Sequence, residues 1–428
     1  MLKFLIKYLL ITLVLIFLIS LFPNITNTLR FTLVSIVKNI FPAERTEPVL
    51  NKINFEKPHE TINANSFEIY VNELSSFAGY NLNSDESINN QHKSAGLFGE
   101  IKNGKTILKL FTRDGSVIEN GIVKMFDLPR NYDPHNSAGG IRGIFFVENE
   151  PYGLMATKNI GCQNATIINL EKKKAIFETD CLPSDQSKVH YDSIGGASIH
   201  LDNKIFVSIG TPTNSSQKIR DLSQNNNSYY GKIISINKKD LSQFLEDKTE
   251  LNINFFSKGH RNPLGLAIIN NKIFSTEHGP KGGDELNLII KSGNYGWPVA
   301  SYGTKYENLS SAAYELNHFK NDFIEPLYQF TPSVAISDLV KCTNQLISYY
   351  ERDGCLIATS LREQSLIIFL LSENLDRVIG IEKIDFGQRL RHIAKQKNGK
   401  TFSESDGSIF ISTDKGNVLK VFFNLIKD

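Results

Sequence analysis

Apolar and polar positions along this chain fall into two regimes. From Phe4 to Phe22 the sequence is almost unbroken hydrocarbon, interrupted only by Lys7 and relieved by Ser20. At about 1.5 Å rise per residue this run nearly matches the roughly 30 Å hydrocarbon core of a bilayer. It therefore predicts a transmembrane helix within residues 1–25. Lys3 and Lys7 ahead of the apolar run leave a secretory signal open as the alternative. No small-x-small cleavage site follows Ser20, which favours an uncleaved anchor. Residues 27–42 read either as an amphipathic segment on the membrane surface or as an ordinary linker helix.

Beyond residue 45 long helical periodicities nearly vanish. Residues 43–90 are rich in Asn, Ser, Glu and Pro, with one strand expected at Ser66–Val71. Residues 26–90 are accordingly read as a linker and membrane-proximal segment. From there a unit recurs: a short apolar strand, a polar or Gly-bearing turn, then a second apolar strand. It starts at Gly96, Tyr152, Asn203, Asn271, Gly354 and Gly407. Spacings of roughly 50 to 80 residues suit four-stranded propeller blades and exceed most solenoid repeats. The pattern predicts an all-β chain folded as a six-bladed β-propeller over residues 91–428. Two stacked sandwiches are the competing arrangement. A propeller gathers strands from every blade around one channel, so any site should be assembled from several blades.

Composition narrows the function more than the fold. With 428 residues and 41% apolar content the chain can bury a full core. Its 47 basic and 45 acidic side chains nearly cancel to +2, which excludes nucleic-acid binding by bulk electrostatics. Cys162 and Cys181 flank one apparent hairpin, and Cys342 and Cys355 flank another short excursion. Each pair is bridgeable within a local loop, as in an exported protein. Four separate buried thiols are the other reading.

The densest cluster of unusual residues runs from Lys258 to Tyr302. Within it GHRNPLGLA, STEHGPKGGDELNLI and GNYGWP resemble the signature blocks of the PQQ-dependent glucose/sorbosone dehydrogenase family, in that order. The similarity continues through EPLYQFTPSVAISDL, SLREQ and GQRLRHI, and covers roughly residues 135–424. The resemblance implies a six-bladed propeller that binds pyrroloquinoline quinone (PQQ) with calcium over the channel mouth. It also implies oxidation of an aldose at C1 to a lactone. PQQ is a flat tricarboxylate, and permanently charged arginines suit it. The matching cofactor positions are Arg261, Asn262, Arg389 and Arg391, with Arg362 where the family usually places a Lys. Gly279 and Pro280 fall where the family presents two carbonyls to calcium. Asp284, with Glu285, is the candidate for a second, structural calcium, as in some relatives; capping of the adjacent strand is the other reading. Arg261 would also polarise the reacting carbonyl, and His190 would be the catalytic base.

Other positions depart from the family pattern. Gly195 and Gly196 come later after His190 than in the family, and the Arg expected after them is missing. Val189 replaces an expected Asp, and Ala138 replaces a Gln. His200, within a strand, is read as packing or pairing inside a blade. The expectation is thus a membrane-anchored enzyme with its propeller in the periplasm or outside the cell. It would act on an aldose or oligosaccharide and pass electrons to a quinone or cytochrome. The alternative is a non-catalytic module that binds a carbohydrate or protein with an eroded site.

Overall fold

The computed structural model describes residues 60–63, 67–74, 77, 93–119, 121–128, 140–159, 161–183, 193–212, 217–247, 251–305, 314 and 318–425. The helix expected within residues 1–25 lies outside them, as do Ala138 and His190. No helix among the described residues is long and apolar enough to cross a membrane.

The short apolar runs become strands of six sheets, each built mainly from one contiguous stretch of chain, apart from the two-residue strand Gly293–Asn294, which joins the blade 3 sheet from within the blade 4 segment, and one larger exception. Blade 5 shows why. Its two middle strands, CLIATS (Cys355–Ser360) and SLIIFLL (Ser365–Leu371), are almost wholly buried. They are rich in Ile, Leu and Phe, which pack well on a pleated surface. A neighbouring sheet covers each face, so the apolar run is nearly continuous rather than alternating. The outermost strand, Val378–Asp385, returns to a mostly half-exposed pattern.

The innermost strands of blades 1 to 6 are Ser94–Lys102, Gly140–Val147, Gly195–Leu201, Pro263–Ile269, Ile336–Lys341 and Leu390–Ile393. Six hydrophobic clusters lie between successive blades: 1 and 2, 2 and 3, 3 and 4, 4 and 5, 5 and 6, and 6 and 1. The circuit returns to its start, which identifies a closed six-bladed propeller and rules out stacked sandwiches. Aromatic rings lock some of these seams. Phe98 of blade 1 meets Phe146 of blade 2 edge-on at 4.9 Å between centroids, a contact worth about 0.5–1.5 kcal/mol beyond its buried area.

The exception is blade 6, which closes the ring. Glu68–Glu73 pairs antiparallel with the last strand, Val418–Asn424, and Glu60–Asn63 adds a fifth strand outside it. The strand expected at Ser66–Val71 is therefore present, but it is part of the propeller. The ring takes in residues that the polar composition had assigned to a linker. Both cysteine pairs form disulfides, Cys162–Cys181 within blade 2 and Cys342–Cys355 within blade 5.

One glycine pair sets the width of the channel wall. A Cβ on Gly143 would lie 1.7 Å from the carbonyl oxygen of Gly196, and Gly196 itself has φ +116°. Only glycine at both positions lets the inner strands of blades 2 and 3 approach this closely.

Candidate active site in the axial channel

At the centre of the ring is a cavity of about 260 Å³ lined by the innermost strands of all six blades and the turns beside them. Six cationic side chains reach it: Lys93, Arg113, Arg142, Arg391, Lys395 and Lys397. Asp338 is the one acid among the described lining residues. It is already committed. Its Oδ1 accepts from Lys395 Nζ at 2.6 Å and from the Leu339 amide at 2.9 Å, and its Oδ2 accepts from the Ile393 amide at 3.0 Å. His392 also lines the cavity. Burial first, then Arg391 and Lys395, hold its pKa well below the usual imidazole range. It is therefore neutral at pH 7 and adds no charge. Its Nδ1 lies 2.8 Å from Ser94 Oγ. Among the described lining residues cations outnumber acids six to one, with Arg391 and Lys397 paired to Asp414 and Glu100 outside the lining, an environment that favours an anion.

The predicted cofactor residues divide into three groups. Arg391 and Asn262 line the cavity. Arg391 is 7% exposed and its Nε pairs with Asp414 Oδ1. Asn262 Oδ1 accepts the Gly195 amide at 3.2 Å, so this side chain ties blade 4 to the wall of blade 3. Arg389 reaches the other Asp414 oxygen at 2.7 Å and the Leu361 carbonyl at 3.2 Å. Its side chain remains 48% exposed and is not part of the lining. Arg362 is exposed, with its backbone amide on the Val334 carbonyl, and it too stands outside the cavity. Burial pushes the Asp414 carboxyl up, but Arg391 and Arg389 more than offset that and hold it well below the usual carboxylate range.

Arg261 stands one layer behind. Its Nη1 donates to the His278 carbonyl at 3.0 Å, its guanidinium carbon lies 5.4 Å from the centre of the Trp297 ring, and its Nε has no hydrogen-bond partner among the described residues. The backbone beneath is fixed by a buried chain of hydrogen bonds. Ser257 Oγ lies 2.8 Å from His260 Nε2, and His260 Nδ1 lies 2.9 Å from Glu277 Oε2. Glu277 Oε1 takes the Arg261 amide. The Ser–His–Glu order resembles a hydrolase triad, but Ser257 is 2% exposed and lines neither this cavity nor the small one behind Arg261. Its geometry positions Arg261 and offers no nucleophile to a substrate.

Gly279 and Pro280 lie in the turn between the blade 4 strands Lys272–Glu277 and Asp284–Ile289. The turn is compact: a Cβ on Gly279 would come within 2.3 Å of two carbonyl oxygens. The Gly279 carbonyl accepts no hydrogen bond among the described residues. Asp284 is engaged on both oxygens. Its Oδ1 accepts the Gly279 amide at 3.0 Å, and its Oδ2 accepts Ser333 Oγ and the Ala335 amide, each at 2.6 Å, and the Ile336 amide at 3.3 Å. Behind the turn Arg261, Glu277, Glu285, Tyr295 and Trp297 line a cavity of about 10 Å³. Burial and the adjacent Glu277 push the Glu285 carboxyl up to about 8. No group of three or more His, Cys, Asp and Glu side chains converges on one point among the described residues. His200 lies within a strand, as expected, and burial followed by Lys238 lowers its pKa to about 4. His190 lies outside the described residues.

Sequence reasoning missed Lys93, Arg113, Arg142, Asp338 and Lys395. Two of them carry a usable signal. Arg142 is the lone charge in GIRGIFFV, and Asp338 is the lone acid in ISDLVK, beside the apolar pair Leu339 and Val340.

Fold and site together define a six-bladed propeller with a cavity rich in cationic side chains on the ring axis. The chain belongs to the glucose/sorbosone dehydrogenase family, whose model matches residues 148–420. It is 30% identical over 176 residues to the aldose sugar dehydrogenase YliI of Escherichia coli, covering 39% of this chain and 43% of that one. It is also 30% identical over 239 residues to quinoprotein glucose dehydrogenase B of Acinetobacter calcoaceticus, covering 46% and 48%. The chain thus spans about half the length of the curated relatives it matches. The PQQ-bound aldose sugar dehydrogenase of Streptomyces coelicolor superposes with a TM-score of 0.53, over 83% of this chain and 98% of that one, at 18% identity. That last likeness is one of fold.

Proposed function

We propose that this protein is a PQQ-dependent sugar dehydrogenase whose cofactor lies over the axial cavity, with an aldose oxidised at C1 to its lactone. The observation that carries the reading is the positive excess of the cavity, met at two family positions, Arg391 and Asn262. A tricarboxylate fits this charge, and the one lining acid does not compete for it because Lys395 and two backbone amides occupy it. When bound, PQQ supplies a two-electron acceptor for hydride from the sugar. Arg391, held in place by Asp414, presents a permanent charge to a carboxylate. Arg261 is pre-oriented by Glu277 and Trp297 and places a positive field at the turn carrying His278 and Gly279. His190 takes the proton of the anomeric hydroxyl.

Calcium belongs with the uncommitted Gly279 carbonyl and its neighbour Pro280. Hard oxygen ligands on a stiff turn suit that ion. A second, structural calcium does not fit Asp284, because four protein donors hold its oxygens. Glu285 is the remaining acid, but it accepts from Asn287 and its neighbour Glu277 is held by His260 and the Arg261 amide, so the described residues do not fit that ion. The apolar run Phe4–Phe22 supports a membrane-anchored enzyme with its ring in the periplasm or outside the cell, passing electrons to a quinone or cytochrome.

A second reading is a carbohydrate- or protein-binding propeller without turnover. It is favoured by Arg362 and Arg389 standing outside the cavity and by Ala138 in place of a Gln. One experiment separates the two: PQQ titration of the full-length chain in mild detergent, with and without calcium, followed by dye reduction with a panel of aldoses. Calcium-dependent binding with turnover is the expected result. Binding without turnover supports the second reading, and absence of binding refutes the cofactor assignment.

A further inference from the structure

The cationic wall of the cavity is not confined to the segments that resemble known dehydrogenases. Lys93, Arg113 and Arg142 come from blades 1 and 2, ahead of residue 148 where the family match begins. Lys93 directly precedes the innermost strand of blade 1, and Arg113 directly follows the second strand, Lys105–Thr112. The Arg113 amide donates to the Lys93 carbonyl at 2.9 Å, which fixes the two positions side by side.

The charges around Lys93 do not balance. Facing it are Arg113 from its own blade, and Arg389, Arg391 and Asp414 from blade 6. His392, on the same blade 6 strand as Arg391, is neutral. Asp414 is the one acid in this group, and both its oxygens are engaged by Arg389 and Arg391. The Lys93 ammonium forms no hydrogen bond or ion pair among the described residues. Burial pushes it down to about 8, with Asp414 opposing the fall and Arg391, Arg113 and Arg389 adding to it. A flexible ammonium without a partner among the described residues, held beside arginines in a cavity, is arranged to receive an anionic group from outside the chain.

We propose that Lys93 is a ligand-binding residue that takes one carboxylate of the anionic ligand, forming with Arg113 a second anion subsite beside Arg391. The inference rests on the anionic-ligand reading of the cavity. It assigns to blade 1 part of the charge complementarity that the sequence placed on Arg362 and Arg389. A lysine moves its charge with pH where an arginine does not, so the subsite has a signature that a merely structural role lacks.

The test is PQQ affinity, read from quenching of Trp297, the single tryptophan of the chain, for the full-length protein with calcium between pH 6.5 and 10. Wild type, Lys93→Met, Lys93→Arg and Arg391→Met are compared. In wild type, affinity should fall by up to about tenfold per pH unit above about pH 8, as the unliganded Lys93 loses its proton. Lys93→Met should bind about tenfold or more weakly at pH 7, as expected for loss of a charge-assisted hydrogen bond, and should lack the alkaline fall. Lys93→Arg should regain most of the affinity and also lack the fall. If Lys93→Met matches wild type while Arg391→Met loses binding, the subsite is refuted and the cofactor reading stands. The same holds if Lys93→Arg keeps the wild-type alkaline fall. If wild type itself does not bind PQQ, both fall together.

Discussion

Replacing Asp284 by Ala separates two roles for this carboxylate, a clamp between segments of the protein and a calcium ligand. The side chain accepts from four donors and joins the turn at Gly279 to the segment Ser333–Ile336 that enters blade 5. In Asp284→Ala the Ser333 hydroxyl can turn elsewhere, but the Gly279, Ala335 and Ile336 amides lose a charged acceptor. At about 1–3 kcal/mol for each buried donor left unsatisfied, discounted for relaxation of the turn, the cost is about 3–5 kcal/mol. For the unit Ile53–Asp428, an unfolding entropy of about 2.1 cal/mol/K per residue converts this to a drop in Tm of about 4–6 °C.

The assay is thermal unfolding of wild type and Asp284→Ala, each in excess calcium and in chelator. A clamp costs stability in chelator as well as in calcium, because its donors belong to the protein. A calcium ligand shows its loss only where calcium is bound, since the stabilisation by an ion is set by its concentration relative to its Kd. Equal Tm values for the two proteins in chelator, with a difference in calcium, would refute the clamp and restore Asp284 as a ligand.

Two further outcomes follow from the same geometry. Asp414 has a folded-state pKa below its unfolded value, so its contribution to stability is present above about pH 4, the unfolded carboxyl pKa, and is lost as pH falls. Asp414→Asn should therefore be less stable than wild type at pH 7 and lose less stability between pH 5 and pH 2, as checked by urea unfolding at each pH. Ile69, fully buried in the strand that closes the ring, should cost about 2–5 kcal/mol when changed to Ala, and an unchanged denaturation midpoint would remove that strand from the core.

The parts of the fold that were legible in the sequence were those with unbroken apolar character. In blades 2 to 6 the recurring unit starting at Tyr152, Asn203, Asn271, Gly354 and Gly407 is the hairpin of the second and third strands, which neighbouring blades cover on both faces. The innermost strands of blades 2, 5 and 6 did not register as repeats, and each is interrupted by a charge: Arg142, Asp338 and Arg391. The closing strand EIYVNE was legible as a strand, from its alternation of buried Ile69 and Val71 with more exposed neighbours. It was not legible as part of the ring, since its partner lies at the opposite end of the chain. The site divided along the same line. Positions carried by local motifs, such as Asn262 and Arg391, line the cavity, whereas the spacing that set Arg389 beside Arg391 gave no hint that Asp414 would hold the pair at the rim. A charge on an innermost strand has few places to go. The sheet faces are packed against neighbouring blades, and the axial channel is the solvated volume nearest to it. The interruptions that hid these strands as repeats are therefore the residues that mark the channel, and Arg142 carries that mark in the amino-acid pattern itself, as the lone charge in GIRGIFFV.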